Sequence, residues 1–297
     1  MKKNHFVFIL TFLALILMNI SVNADEYKIG VLAKNGAAKA LKKWSATADY
    51  LNASLKGSTF KIVPLGFEEV FPAIEGKNVD FFLVNSSMFI TAKVKYNAAA
   101  IATMINSRQG KSLTSFGGVI LTYIDRDDIN SLADIKGKNF MAVKKSSFGG
   151  WQMAYKEFLD NGINPKKDFA SLKFGGKHDN VVLSIQNGEI DAGTVRTDTL
   201  ERMAAVGDID MSEFKILAKK NHSGFPFVVS TSLYPEWPFA KLADISDEIS
   251  NKVMDALSQL DAESKAAKDA KIIGWSAPLD YSEIEVLQEQ LGVGAYR

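Results

Sequence analysis

Apolar and polar positions alternate over Tyr27–Ala33 (YKIGVLA). The period then changes, and Leu41, Trp44, Ala48, Leu51 and Leu55 step by three and four. The pattern predicts a strand, a turn at Lys34-Asn35-Gly36, and an amphipathic helix closed near Gly57. Phe60–Leu65 predicts a second strand. Phe67, Val70, Phe71 and Ile74 predict a second helix, which Pro72 kinks or shortens and Gly76 follows. Val79–Val84 (VDFFLV) is a strongly apolar third strand, and Asn85, Ser86 and Ser87 after it carry the side chains of a helix cap. A β-α-β-α-β order implies a parallel sheet with right-handed crossovers.

Gly117–Tyr123 (GGVILTY) predicts another strand and Asn130–Gly137 a short helical turn. The run FMAVKKSSFGGWQMAYKEFLDNG (140–162) reads as a strand, a tight Ser/Gly turn and a helix. Ser146, Ser147, Gly149 and Gly150 let the backbone turn sharply and leave N–H groups open, while Trp151, Tyr155, Phe158 and Leu159 keep helical spacing up to Gly162. Such a helix start suits an anion. No Lys-Ser/Thr follows the glycines, so it is not a nucleotide P-loop. An ordinary turn packed on a sheet would look the same.

Ser171–Phe174, Ile190–Val195 and Phe214–Ala218 predict further strands. Helices lie between them, one opened by Asp179 with Val182 and Ile185 on its apolar side, the next capped by Thr197-Asp198 and carrying Leu200 and Met203. Phe225–Thr231 is apolar and extended. Ile249, Val253 and Leu257 mark a closing helix, and Trp275–Tyr281 and Ile284–Leu291 finish the chain. That tail holds too few strands for a domain, so it is expected to return to the first unit. The expected division is lobe 1 at 25–123 plus 220–297 and lobe 2 at 124–219. Crossovers near 118–123 and 216–230 would let the cleft between the lobes open and close.

The 297 residues carry a net charge of only +1, and no Zn-ribbon, RRM or helix-turn-helix pattern stands out, so nucleic-acid binding is not expected. Lys2 and Lys3, the apolar run Phe6–Met18 and the site Val22-Asn23-Ala24 make residues 1–24 an expected cleaved signal peptide. An uncleaved anchor is the alternative, but the run is short for a span of about 20 residues. The chain has no cysteine. That excludes disulfides, thiolate metal sites, cysteine catalysis and a lipid on a cysteine at the cleavage site. The expectation is a periplasmic protein, exported but not lipid-anchored, monomeric, with no metal and no cofactor.

Ligands in parallel sheets sit beyond the C-terminal strand ends. Those ends offer Lys34, Asn35, Asn85, Ser86 and Ser87 from the first lobe. The second offers Ser146, Ser147, Gly149, Gly150, His178, Thr194, Arg196 and Thr197. Arg196 is the sharpest candidate, because a guanidinium donates two parallel hydrogen bonds to an oxyanion; its alternative is a salt bridge to Asp198 or Glu201. His178 can donate to an oxyanion or serve as a satisfied structural group. Asn85–Ser87 and Ser147 can be caps alone, Lys34 can be solvated, and Trp44 and Trp151 fit core packing. Catalysis has little to stand on. Ser147 and His178 could pair as in a serine hydrolase, which is the alternative of a different class, but no third group is visible.

SLADIKGK (131–138), AVKKSSFGG (142–150), KHDNVVLSIQNGEIDAGTVRTDTLERM (177–203) and GFPFVVSTSLYPEWPFA (224–240) resemble the phosphonate-binding-type periplasmic solute-binding family, with the nearest likeness to the sensor domain of tetrathionate-type histidine kinases and stand-alone oxyanion sensors. The resemblance implies an α/β, two-lobed type-2 periplasmic binding fold with two hinge crossovers, closing on a ligand in the interlobe cleft. It further implies a small oxyanion as ligand, held by Ser147-Phe148-Gly149-Gly150, His178 and the Thr194–Thr197 segment. The Ser-Thr-Ser run of phosphonate binders appears here as Ser147-Phe148-Gly149, so two of its hydroxyls are missing. Arsenite-sensing relatives use a cysteine, and none exists here. The expected partner is a membrane sensor histidine kinase or an ABC permease.

Overall fold

The computed structural model describes residues 24–297, so all of the expected signal peptide except Ala24 lies outside the described residues. The first half of lobe 1 runs β1 (Asp25–Leu32), α1 (Ala37–Ser54), β2 (Ser58–Leu65), α2 (Val70–Glu75), β3 (Phe81–Leu83) and α3 (Ser86–Tyr96). β1 lies parallel between β2 and β3. Pro72 falls in the first turn of α2, where its missing N–H is tolerated, and the helix stays short. β3 has neighbours on both edges and helices on both faces, which is why Phe81, Phe82 and Leu83 are all buried. Trp44 is core, against Trp275.

The chain then forms β4 (Ala99–Arg108), β5 (Lys111–Leu113), β6 (Ser115–Phe116) and β7 (Gly118–Tyr123). β4 is an addition to the sequence reading. Its alanines, threonine and serine (AAIATMINSR) give little contrast between faces, so no period shows.

Lobe 2 comprises β7, β8 (Asn139–Ala142), a π-helical turn Phe148–Gln152 leading into α4 (Met153–Asp160), α5 (Pro165–Asp168), β9 (Ser171–Phe174), α6 (His178–Gln186), β10 (Ala192–Arg196), α7 (Thr199–Ala205) and β11 (Phe214–Leu217). Its sheet has the order β11-β7-β10-β8-β9, with β7 antiparallel to both neighbours. The expected boundary at residue 124 is therefore corrected: Gly118–Tyr123 is a central strand of the second sheet, not a crossover.

The crossovers are β6 and β12 (Tyr234–Pro235), paired antiparallel to each other as a two-stranded hinge. Phe225–Thr231 forms no strand. It runs along β7 instead, where Gly118 N donates to Thr231 Oγ1 and Ile120 N to Ser230 Oγ. β13 (Pro238–Lys241) then inserts antiparallel between β3 and β4, and α8 (Asp247–Ser258), α9 (Lys265–Ala270), β14 (Ile272–Ser276) and α10 (Ser282–Leu291) complete lobe 1. The first sheet has the order β14-β4-β13-β3-β1-β2, with β5 on β4. No described helix is long and apolar enough to cross a membrane.

Candidate functional site

The strand ends and helix starts of both lobes face one cavity of about 410 Å³. From lobe 1 come Lys34 in the β1–α1 turn, Lys39 and Lys43 four residues apart on α1, Asn85, and Arg108 at the end of β4. From lobe 2 come Ser147, Phe148, Gly149, Lys177, His178, Asp198 and Arg202, and Arg196 sits at the hinge side. A smaller recess of about 70 Å³ opens behind Lys34, floored by Leu32, Trp44, Met104 and Trp237.

The charge is one-sided. Lys34, Lys39, Lys43, Arg108, Lys177, Arg196, Arg202 and Lys271 line the large cavity, against only Asp179 and Asp198. Asp179 is engaged by Arg202, and Asp198 lies 3.4 Å from Arg108 and 3.5 Å from Arg196. Among the described residues, Lys34, Lys39 and Lys43 have no carboxylate partner. The 18-residue helix α1 begins among them with no side-chain cap and no acidic residue in its first turn, so its first N–H groups are left for the cleft.

These cations disturb one another. Lys34 is open to the water of the cleft but ringed by protein of both lobes. That crowding, with Arg108 and Arg196 close by, pushes its ammonium down to about 7. Burial, then Arg108 and Lys34, holds Lys43 well below the usual lysine value. Burial and the same cations hold His178 well below its own. A neutral His178 whose Nδ1 accepts from Arg196 N at 3.1 Å must carry its proton on Nε2, so it can offer that N–H as a donor. With Nδ1 committed, the imidazole cannot use that nitrogen as a base, and no hydrogen bond joins it to Ser147 among the described residues.

The other expected residues divide. Asn85 caps α3 by accepting from Met88 N at 3.0 Å, and it reaches across the cleft, donating to Ser146 O at 3.2 Å. Ser147 borders the cavity, with no protein partner for its hydroxyl among the described residues. Phe148 is 1% exposed and packs edge-on against the hinge residues Phe116 and Tyr234. Gly149 lies against Phe116, and Gly150 against Val143, where a Cβ would approach Val143 Cγ2 to 2.5 Å; Gly150 is a packing glycine, not a cavity residue. Ser86 is turned away from the cleft, donating to Pro235 O at 2.7 Å. Thr194 is fully buried within the sheet, and Thr197 accepts from Gly117 N at 3.2 Å to fasten a crossover. These three are corrected from ligand candidates to structural residues.

Arg196 lines the cavity, but it also takes the salt-bridge alternative of its sequence reading in part, with Nε 3.5 Å from Asp198 Oδ1. The residue is 6% exposed; its guanidinium lies 4.2 Å from the Phe116 ring and is bonded to Glu236 on the second crossover, which in turn accepts from Asn106 at 2.9 Å. Burial opposes the charge on Arg196, but Glu236 and Asp198 outweigh it and hold the group above its usual value. Glu236 is 40 residues away, beyond any helical spacing. The cavity cations missed in the sequence are Lys39, Lys43, Arg108, Lys177, Arg202 and Lys271. Lys39 and Lys43 could have been found as an i, i+4 pair following the Lys34 turn.

Two α/β lobes joined by a paired hinge, with a polar cleft at the strand ends, define a solute-binding protein of the two-lobed periplasmic type. The chain belongs to the family described as ABC transporter, phosphonate, periplasmic substrate-binding protein, whose model matches residues 29–282. It is 31% identical over 265 residues to the tetrathionate sensor histidine kinase TtrS of Salmonella typhimurium, covering 89% of this chain and 43% of that protein. It is 26% identical over 156 residues to the phosphate-import protein PhnD of Mycolicibacterium smegmatis, covering 46% of this chain and 49% of that one. The chain thus spans less than half the length of either curated relative. Among solved structures it resembles XAC2383 from Xanthomonas citri bound to chloride ion (TM-score 0.73, 16% identity, 90% and 98% covered). It also resembles PhnD1 from Prochlorococcus marinus in complex with methylphosphonate (TM-score 0.70, 16% identity, 91% and 99% covered). At such identity these structures speak for the fold alone.

Proposed function

We propose that this chain captures a small oxyanion, such as phosphate, a phosphonate, arsenate or a sulfur oxyanion, between its lobes. It then presents the closed form to a membrane partner, a sensor histidine kinase or an ABC permease. The observation that carries the reading is the set of cations around the uncapped start of α1: Lys34, Lys39 and Lys43, without a carboxylate partner among the described residues, together with Arg108. Opposite lie the Ser147 hydroxyl and the neutral His178. Taking up an anion would relieve repulsion among the cations and satisfy open N–H groups at once. The printed names of the two relatives, one a sensor kinase and one an import protein, support the two kinds of partner equally. Permease and ATPase genes beside this one would favour import, and kinase and regulator genes sensing.

A thermal-shift screen over phosphate, methylphosphonate, arsenate, sulfate, thiosulfate and tetrathionate tests the reading. At a hundred times its dissociation constant, a true ligand stabilises by about 2.7 kcal/mol. No shift with any member of the set would remove the oxyanion from the account.

The pH dependence has a definite sign. Lys34 in the unliganded protein titrates at about 7, and a bound anion favours its charged form. Affinity for thiosulfate, which does not itself titrate near neutrality, should be greatest below pH 7 and fall as the pH rises above it, by at most about tenfold per unit. Calorimetric titrations at several pH values read this directly. Lys34→Arg, which keeps its charge, should flatten the slope, and an equal slope in that variant would clear Lys34 of the effect.

A further inference from the structure

Four buried polar side chains with no place in the cavity wall join the lobes behind it. Ser87, Gln152 and Gln288 are 2%, 4% and 0% exposed, and Thr91 beside them is 4% exposed. Gln288 sits on α10 and Ser87 on α3, both in lobe 1; Gln152 is the last residue of the π-helical turn that follows Ser147 in lobe 2.

The bonding order is forced by chemistry. Gln288 Nε2 lies 2.6 Å from Ser87 O, which can only accept, so that end of the amide is the donor. Its Oε1 accepts from Ala295 N at 3.1 Å. Gln152 Nε2 donates to Lys145 O at 3.2 Å, which leaves its Oε1 facing Ser87. The Ser87 hydroxyl therefore accepts from Gln288 Nε2 at 2.7 Å and donates to Gln152 Oε1 at 2.5 Å. The result is one head-to-tail chain: Ala295 N–H to Gln288, Gln288 to Ser87, Ser87 to Gln152, Gln152 to Lys145. Aligned hydrogen bonds in a low-dielectric interior polarise one another, and a gap in the series leaves a buried group unsatisfied.

Both ends of the chain are positions that matter. Lys145 O and Gln152 bracket the turn that presents Ser147 and Gly149 to the cavity, and Gln152 N also donates to Ser147 O at 3.1 Å. The far end is the 3-10 turn Gly294–Tyr296. There Gly294 has φ 61°, and a Cβ would stand 2.3 Å from Gln288 Oε1, so the turn is keyed to that amide. Within this series the Ser87–Gln152 link is the one that crosses between the lobes, beside the separate Asn85–Ser146 bond.

We propose that Gln152, Ser87 and Gln288 are positioning residues that hold the lobe-2 anion turn in register and report its movement to the C-terminal turn Gly294–Tyr296. This rests on the oxyanion reading of the cleft. When the lobes rotate about β6 and β12, the Ser87–Gln152 bond must shorten, bend or break. Because neither partner has water to turn to, that change is passed along α3 and α10 and is not absorbed locally.

Amide hydrogen exchange on the full chain tests this, with and without sulfate, thiosulfate, methylphosphonate or arsenate, each at millimolar concentration. With any oxyanion that binds, exchange at Ala295 and Tyr296 should change by about tenfold relative to amides of α8, in step with residues 145–152. Ser87→Ala, and independently Gln152→Met should Ser87→Ala not fold, should bind more weakly but still saturate at a raised anion concentration. Both should lose the Ala295 response while the turn 145–152 still responds. If the wild-type turn 145–152 responds and Ala295 does not, or if both variants keep the Ala295 response, the relay is refuted while the oxyanion reading stands. If none of the four anions binds the wild type, the reading of the cleft fails first and the relay with it.

Discussion

Arg108→Gln should weaken oxyanion binding at least about thirtyfold, more than any other single change in the cleft. Arg108 stands at the end of β4; among the described residues Asp198 is the one carboxylate within 4 Å of it, at 3.4 Å and outside hydrogen-bonding geometry, with Glu236 farther off. Its Nε is buried without a hydrogen-bond partner. A guanidinium in this condition has donors to give and a charge to neutralise. Burial, then the nearby Arg196, lowers its affinity for its own proton, and a bound anion would reverse that. Removing one member of a buried charge pair costs about 2–5 kcal/mol of binding, which corresponds to roughly thirtyfold to several thousandfold. Arg108→Lys should recover only part of it, since a point charge cannot replace the fork. Calorimetric titration with the oxyanion found in the thermal screen decides the matter. An affinity within threefold of wild type, in a protein that melts normally, would put the anion somewhere else.

Arg196→Ala should act mainly on stability, lowering it by about 3–5 kcal/mol in the ligand-free protein, because it strands the fully buried Glu236 carboxylate at the hinge. Burial alone would raise the Glu236 carboxyl, but Arg196, with Arg108 and Asn106, holds it below the usual carboxylate range. Without Arg196 only Asn106, among the described residues, still donates to it, Arg108 is the main charge left with Lys34 and Lys43 beyond, and the carboxyl must either stay ionised at high cost or take up a proton. A double change, Arg196→Met with Glu236→Gln, should restore at least half of the loss, since it removes the stranded charge and keeps an acceptor for Asn106. Urea denaturation of the three proteins reads both numbers. A loss under about 1 kcal/mol for Arg196→Ala would mean that the pair is not what secures the hinge.

The two residues show why part of the site was legible and part was not. The strand-turn-helix runs after β1 and β8 stand out because their apolar period switches from two to nearly four within a few residues, and this placed Lys34, Ser147 and Gly149 at strand ends where they are found. Arg196 was placed at the cleft mouth by the same logic. Its near partner Asp198 was foreseen, but its hydrogen-bonded partner was out of reach, because Glu236 follows a crossover strand only two residues long. Arg108 was invisible for a different reason. Its strand carries Ala, Thr and Ser on both faces, packed between β13 and β14, so neither alternation nor a polar end could be seen. Ser86 and Thr197 belong to the opposite error. A hydroxyl after a strand serves a ligand or a neighbouring backbone equally well in sequence, and here the neighbours are Pro235 O and Gly117 N. The lobe boundary slipped by about one strand because β7 leaves the hinge and enters the second sheet without any polar break.

The central claim is that an anion sits between the lobes on the lobe-1 cations. It is tested most directly by crystals grown with arsenate or selenate, whichever raises the melting temperature, using the anomalous signal of the heavy atom to locate it. The account expects a single strong peak inside the cavity, within hydrogen-bonding distance of Arg108 and near the start of α1, with the Ser147–Gly149 turn on its other side. A peak on the outer surface, or an empty cavity in a protein whose melting temperature the same anion raises, would contradict it.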